Sequence, residues 1–236
     1  MALIEERDGR EKGGGYHRLF GDDDLGFLIS KVHGAVNSAG RELEKIIKRE
    51  VTSIDDLEGF LEQEIMPEGV FIVGKKELKA STTLDFSGSE PDFVVFRRRD
   101  GRQQCHVIEL KDGDNFDTKK SSSEQRSVHD YVTQNAPHLQ FTVTSHICSF
   151  NQEDKEAIVK GFKGKIEINE AMTGRELCEL LEIDYDAIVE ERKKDQRPNF
   201  EYFVRELTKI EEVKDYFLYC LANPEAEQQS LFKQQD

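Results

Sequence analysis

PDFVVFRRRDGRQQCHVIELK, residues 91–111, is the stretch that decides how this chain folds. Phe93–Phe96 is a compact run of strand formers, and Arg97, Arg98 and Arg99 carry it outward toward water. Asp100-Gly101 is a strong turn signal. Cys105–Leu110, carrying Val107 and Ile108, reads as the returning strand. A hairpin is therefore predicted, with Asp92 at the start of one strand and Glu109 near the end of the other. Alternation along a strand puts Glu109 and Lys111 on one face. Two carboxylates then converge on one point with an ammonium group beside them. The apolar run HVIEL ends in acid and base just where a sheet would meet a cleft; a solvated face would show polar alternation further back.

Upstream of the hairpin, residues 1–20 read as a flexible lead containing Gly13, Gly14 and Gly15. Asp22, Asp23 and Asp24 suit a helix start. From Leu25 to Val51 the pattern is helical, with Leu28, Val32, Val36, Leu43, Ile46 and Ile47 on its apolar positions. Ser53 is expected to cap a second helix bearing Ile54, Leu57, Phe60 and Leu61. Val70–Val73 then reads as a short strand ended by Gly74, and Thr82–Phe86 as another.

Downstream, Asp112–Lys120 is a polar loop, and Ser121–Ser123 with Glu124 and Gln125 marks a helix start. That helix runs to about Asn135, and Phe141–Phe150 follows as a strand. A strand–helix–strand step predicts a parallel pair. The last third is mainly helical: Asp154–Val159, a run capped by Thr173 with Leu177, Leu180 and Leu181, Asp184–Glu191, and one long segment Phe200–Leu221 after a hinge at Pro198. Ile166–Ile168 is a candidate edge strand. The expectation is one α/β domain over residues 1–236, a mixed β-sheet flanked by helices. Its core spans about 25–170 and a helical C-terminal part spans about 171–223.

Composition narrows the function. The 236 residues carry a net charge of −15, which excludes a general nucleic-acid coating protein but not a cleft with its own local field. No apolar run approaches the roughly 20 residues that span a bilayer, and the charged, glycine-rich N-terminus is not a secretory signal. A cytoplasmic protein with no membrane partner is expected. Cys105, Cys148, Cys178 and Cys220 lack C-x-x-C spacing, so buried thiols are expected. The six histidines show no H-x-x-x-H zinc pattern. Gly74-Lys75-Lys76 lacks the upstream glycines of a phosphate-binding loop, so no nucleotide cofactor is expected.

The converging carboxylates suit phosphodiester hydrolysis. That reaction needs an attacking water and a stabilised leaving oxygen, and a hard divalent cation on oxygen ligands supplies both. Asp92 and Glu109 are such ligands, and the backbone carbonyl of Leu110 is a third. Lys111 would orient or polarise the water. Pro91-Asp92 followed after 16 residues by Glu109-Leu110-Lys111 resembles the PD-(D/E)XK nuclease superfamily, and within it the type II restriction endonucleases. The resemblance covers Leu25 to Phe150. It implies a central mixed sheet, Mg²⁺ at Asp92 and Glu109, and hydrolysis of double-stranded DNA to 5′-phosphates, usually by a homodimer.

A fourth acid often joins such sites from the first helix. Glu44 is the candidate, with Glu42 beside it, although Glu44 and Lys48 also form an ordinary i,i+4 pair. Gln125, in the helix after the motif, matches a glutamine that some relatives use to position water or phosphate, but suits a helix surface better. For holding DNA, Lys119, Lys120, Ser121, Ser122 and Arg126 combine cations, hydroxyls and a helix start. The same residues also suit a polar loop with a cap, and Arg97–Arg99 suit edge protection. Gln134, Asn135, Arg197 and Asn199 are candidate base readers. Two other functions compete: a repair or structure-specific nuclease of the same superfamily, and a non-catalytic DNA-binding or regulatory protein, which the acidity favours.

Overall fold

The computed structural model describes residues 1–10, 13–85, 90–113 and 118–223, without the side chains of 118–121. In chain order the elements are α1 (Gly15–Phe20), α2 (Asp23–Glu50), β1 (Thr52–Ser53), α3 (Leu57–Leu61), β2 (Gly69–Gly74), α4 (Lys75–Ala80), β3 (Phe93–Arg99), β4 (Arg102–Lys111), α5 (Thr118–Asn135), β5 (Thr142–Ser149), α6 (Lys155–Gly161), β6 (Ala171–Thr173), α7 (Gly174–Leu181), α8 (Tyr185–Lys193), α9 (Gln196–Leu207) and α10 (Glu211–Ala222). The chain divides into two compact units, Gly40–Val189 and Met1–Ala39 with Glu190–Asp236. No described helix is long and apolar enough to cross a membrane.

The first unit holds the sheet. Among the described residues it has six strands in the order β1-β2-β3-β4-β5-β6. β2, β3 and β4 are antiparallel neighbours, whereas β4, β5 and β6 run parallel. The predicted hairpin forms. Asp100 and Gly101 both take positive φ, 53° and 75°, as a tight two-residue hairpin turn requires, and Arg99 faces Arg102 across it. The predicted crossover forms as well, since α5 joins the parallel pair β4 and β5.

Alternation sends neighbouring residues of the central strands to opposite cores. Val94, Phe96, Cys105, Val107 and Ile147 join Val128 and Tyr131 of α5 and Ile158 of α6. Phe93, Val95, Ile108, Leu110 and Cys148 join Leu43 and Ile47 of α2 and Leu177 of α7. Strands covered on both faces read as continuous apolar runs, which explains FVVF. Asn135, at the end of α5, is fully buried; its side chain accepts from the Asp85 N–H (2.7 Å) and donates to the Asp85 and Tyr131 carbonyls, which anchors the approach to β3. Thr173 caps α7 as predicted, in a capping box with Glu176. Gly174 is required there, because a Cβ would run into the Phe150 carbonyl oxygen.

Several local expectations are corrected. Ser53 does not cap α3; it lies in β1, and Asp56 accepts from the Gly59 N–H instead (3.0 Å). The described part of Thr82–Phe86 is no strand, because Glu58 gathers the Ser81 hydroxyl (2.6 Å) and the Thr82 N–H (2.9 Å) into a loop; Phe86 lies outside the described residues. The edge strand is Ala171–Thr173, not Ile166–Ile168, where Ile166 turns into the core. α5 begins at Thr118, so residues 118–120 extend the helix into the expected loop.

The second unit is helical. The expected flexible lead is tied down: the Ala2 N–H donates to Asp195 (2.6 Å) and the Ile4 N–H to Asn199 (2.8 Å). His17 of α1 is buried between the Arg10 carbonyl (2.9 Å) and Asp23 (3.1 Å). The expected single helix Phe200–Leu221 is two, α9 and α10. Pro198 is no hinge, since it sits in the first turn of α9, where its missing N–H costs little. The break falls at Ile210, which is extended and buried.

Candidate active site

The site forms where β3 begins and β4 ends. Phe93 pairs with Ile108, so the register sets Asp92 beside the Glu109–Lys111 end of β4. Asp92 is only 4% exposed, and its Oδ2 accepts from the Leu110 N–H at 2.7 Å. Its Oδ1 pairs with the ammonium of Lys75, the first residue of α4. Gly74 pairs with Phe93 in the sheet, and that pairing delivers Lys75 to Asp92.

Glu109 and Lys111 share a face with Cys105 and Val107, the face that α5 covers. The Lys111 Nζ lies 2.7 Å from Glu109 Oε1 and 2.8 Å from Glu124 Oε1 of α5. The Glu109 and Lys111 side chains keep only 16% and 14% of their surface. Glu124 Oε2 is buried without a hydrogen-bond partner among the described residues.

The electrostatics follow from this packing. Burial, and then the charge of Asp92, raise the Glu109 carboxyl above its ordinary value, against the pull of Lys111. Burial and Asp92 likewise raise Glu44, against Lys75, Lys111 and Lys48, so Glu44 of α2 belongs to the same field. Burial alone would lower Lys111, but Glu109 and Glu124 outweigh it and hold the ammonium above its ordinary value. Among the described residues no three His, Cys, Asp or Glu side chains close into a metal-binding group. Lys75 and Lys111 supply the positive charge that the carboxylates face.

The expected residues thus divide. Asp92, Glu109 and Lys111 come together, and Glu44 joins their field. Leu110 contributes its N–H to Asp92. The rival pairing of Glu44 with Lys48 is weakened, because Lys48 donates to Glu77 at 3.4 Å. Glu42 lies 3.8 Å from Lys45. Gln125 faces a separate cavity of about 470 Å³ with His129, His146 and Glu170. Arg126 is exposed and Ser122 half-buried on α5, while the side chains of Lys119, Lys120 and Ser121 lie outside the described residues. Asn135 and Asn199 are engaged with backbone, which removes them as base readers.

Lys75 and Glu124 are the residues that sequence reasoning missed. Glu124 carried a signal: it falls four and seven residues before Val128 and Tyr131, in phase with the buried stripe of α5. Lys75 had only a charge argument, since clustered carboxylates need more than one cation.

A mixed sheet flanked by helices, with acids and a lysine at the open end of its central hairpin, is a restriction-endonuclease-like α/β fold. No family model matches the chain. It is similar to the type II restriction enzyme HhaII of Haemophilus parahaemolyticus, with 39% identity over 222 residues, 91% of this chain and 97% of the relative. The chain belongs to this family of type II restriction enzymes.

Proposed function

We propose that the chain is a Mg²⁺-dependent endonuclease of the PD-(D/E)XK superfamily that hydrolyses double-stranded DNA at a specific short sequence. One observation carries this reading: Asp92, Glu109 and Lys111 meet at one end of the sheet, largely out of water. The similarity to HhaII supports the restriction activity. Asp92, Glu109 and the Leu110 carbonyl would hold Mg²⁺, which when bound stabilises charge on the phosphate and lowers the pKa of a water. The donors fit a hard cation, being oxygen atoms only. Burial first, and then the charge of Asp92, raise the affinity of Glu109 and Glu44 for a proton, and the charge of Asp92 is equally a reason to accept a divalent ion.

The chain's own residues act as follows. The Leu110 N–H fixes the Asp92 carboxylate. Glu109 and Glu124 hold the Lys111 ammonium above its ordinary value, which places Lys111 to donate to the attacking water or a phosphate oxygen. Glu44 adds a further carboxylate from α2. Ser122 and Arg126, early in α5, would contact phosphate. A homodimer meets a palindromic site with matching two-fold symmetry.

The test is digestion of a plasmid of known sequence by purified protein, with Mg²⁺ and with a chelator. Discrete fragments that need the metal are expected. Intact plasmid, and intact longer DNA in a repeat, would overturn the nuclease reading. Asp92→Ala should stop cleavage while DNA binding persists; cutting at the normal rate would overturn the site.

A further inference from the structure

Two lysines face the carboxylates of the site, and only one of them is free to leave. Lys111 is held on both sides, 2.7 Å from Glu109 and 2.8 Å from Glu124, and its side chain keeps 14% of its surface. Lys75 contacts one carboxylate among the described residues, that of Asp92, and keeps 48%. The main chain at Lys75 is set by the pairing of Gly74 with Phe93. Its ammonium is not, because a flexible four-carbon stem separates the two. Lys75 can therefore turn into solvent without any movement of β2 or α4.

Asp92 explains why a cation is kept there. Its side chain retains only 5% of its surface, and a carboxylate so deeply buried is costly to leave unpaired. The Leu110 N–H occupies Oδ2 and Lys75 occupies Oδ1. The charges of Glu44 and Glu109 also act on the Lys75 ammonium. Three acids thus share one removable cation. A divalent ion drawn to the same carboxyl would meet that ammonium at close range, where little water separates them and like charges repel strongly.

We propose that Lys75 is a built-in counter-ion of Asp92 that gives way to the metal, so that the protein takes up its ion by exchange and not by addition. The inference rests on the proposed metal position at Asp92. A Lys75–Asp92 pair formed about nine-tenths of the time lowers the apparent metal affinity about 10-fold, because only the open fraction accepts the ion.

Full-length protein without DNA tests it, with Mn²⁺ as the probe. Mn²⁺ suits the same oxygen ligands as Mg²⁺, and its electron spin resonance reports the free ion. Lys75→Met keeps the stem and removes the charge, and should bind Mn²⁺ about 10-fold more tightly than wild type. Lys75→Arg keeps a cation and should stay within about 3-fold of wild type. Lys48→Met controls for charge alone, since Lys48 acts on Glu44 but donates to Glu77 and not to Asp92. It too should stay within about 3-fold. Without metal, Lys75→Met should melt below wild type, and Mn²⁺ should raise its melt by more. The wild type gives a further reading that needs no variant: on adding Mn²⁺, the rate at which a water-soluble acylating reagent modifies Lys75 should rise several-fold, while its exposed neighbour Lys76 stays unchanged.

Equal or weaker Mn²⁺ binding by folded Lys75→Met overturns the exchange. So does a Lys48→Met protein that tightens as much, or Lys75 labelling that bound Mn²⁺ does not move. In each of those results the metal site itself stands. Mn²⁺ bound by neither wild type nor variant removes the exchange and the metal site together. A tighter Lys75→Met in a protein that cuts no DNA keeps the exchange and loses the nuclease.

Discussion

The two ends of the β3–β4 hairpin both collect charge and treat it differently. At the turn, Arg97 and Arg99 meet Glu182 at 3.6 and 3.4 Å, and Arg98 meets Glu68 at 3.4 Å. Both acids there are more than half exposed. At the open end, Lys111 is held closer, 2.7 Å from Glu109 and 2.8 Å from Glu124, almost out of water. The charges are comparable, so the two ends differ in pairing distance and in solvent. Exposed pairs contribute about 0–1 kcal/mol. A buried charge that loses its partner costs roughly 3–5 kcal/mol. Charge kept dry is therefore expensive and fixed in place, which suits a reaction and not a surface.

The largest effect expected at the open end is from Asp92→Asn. The amide still accepts from the Leu110 N–H, so the fold is kept while the charge is lost. Cleavage should fall by on the order of 10³-fold or more, with DNA binding unchanged in a filter or gel-shift assay. Lys111→Gln removes the positive charge that faces the transition state, and a loss of about 10²–10³-fold is expected in single-turnover cleavage. A Lys111→Gln enzyme within a few-fold of wild type would leave the buried end with no more catalytic weight than the turn. Glu124→Gln keeps a partner for Lys111 but not its charge. Roughly 10–100-fold is expected, as for residues that orient a catalytic group. Glu124→Asp should restore part of it, and a merely structural Glu124 would change unfolding and not rate.

The hairpin was legible because each signal was local. Asp100-Gly101 fixes the turn, alternation fixes the face, and the register carries Asp92 to Leu110. The partners of that pair were less legible in proportion to their distance along the chain. Glu124 could be found from helix phase. Lys75 could not, because its position depends on the pairing of Gly74 with Phe93 across the sheet. Ser53 misled because serine suits a cap and Thr52–Ser53 has too short a strand pattern to read. The C-terminal helices misled because an amphipathic period continues through Thr208–Ile210, where burial of Ile210 sets the break.

His106 lies between the two ends of β4 and gives an intermediate effect. Burial, then His146 and Arg97, push its pKa down to about 4. The unfolded chain takes up this proton near 6.5, and the folded chain only near 4. Stability is therefore undiminished above the unfolded value and falls as pH drops through this window. His106→Gln should flatten the fall in unfolding free energy, read from urea titrations between about pH 6.5 and 4, by at most about 2 kcal/mol, allowing for partial exposure. An unchanged slope would mean that His146, linked to His106 through the Thr144 hydroxyl, carries the proton instead.

The smallest effect belongs to the turn. Arg99 is 66% exposed and its pairing with Glu182 is bathed in solvent. Arg99→Ala should change stability by less than about 0.5 kcal/mol, and less still at high salt. Cleavage should be unchanged. A rate that falls with Arg99→Ala, and more steeply as salt is lowered, would assign the turn a phosphate contact. The hairpin would then grip DNA at both ends, and exposure alone would no longer separate the end that works from the end that stays wet.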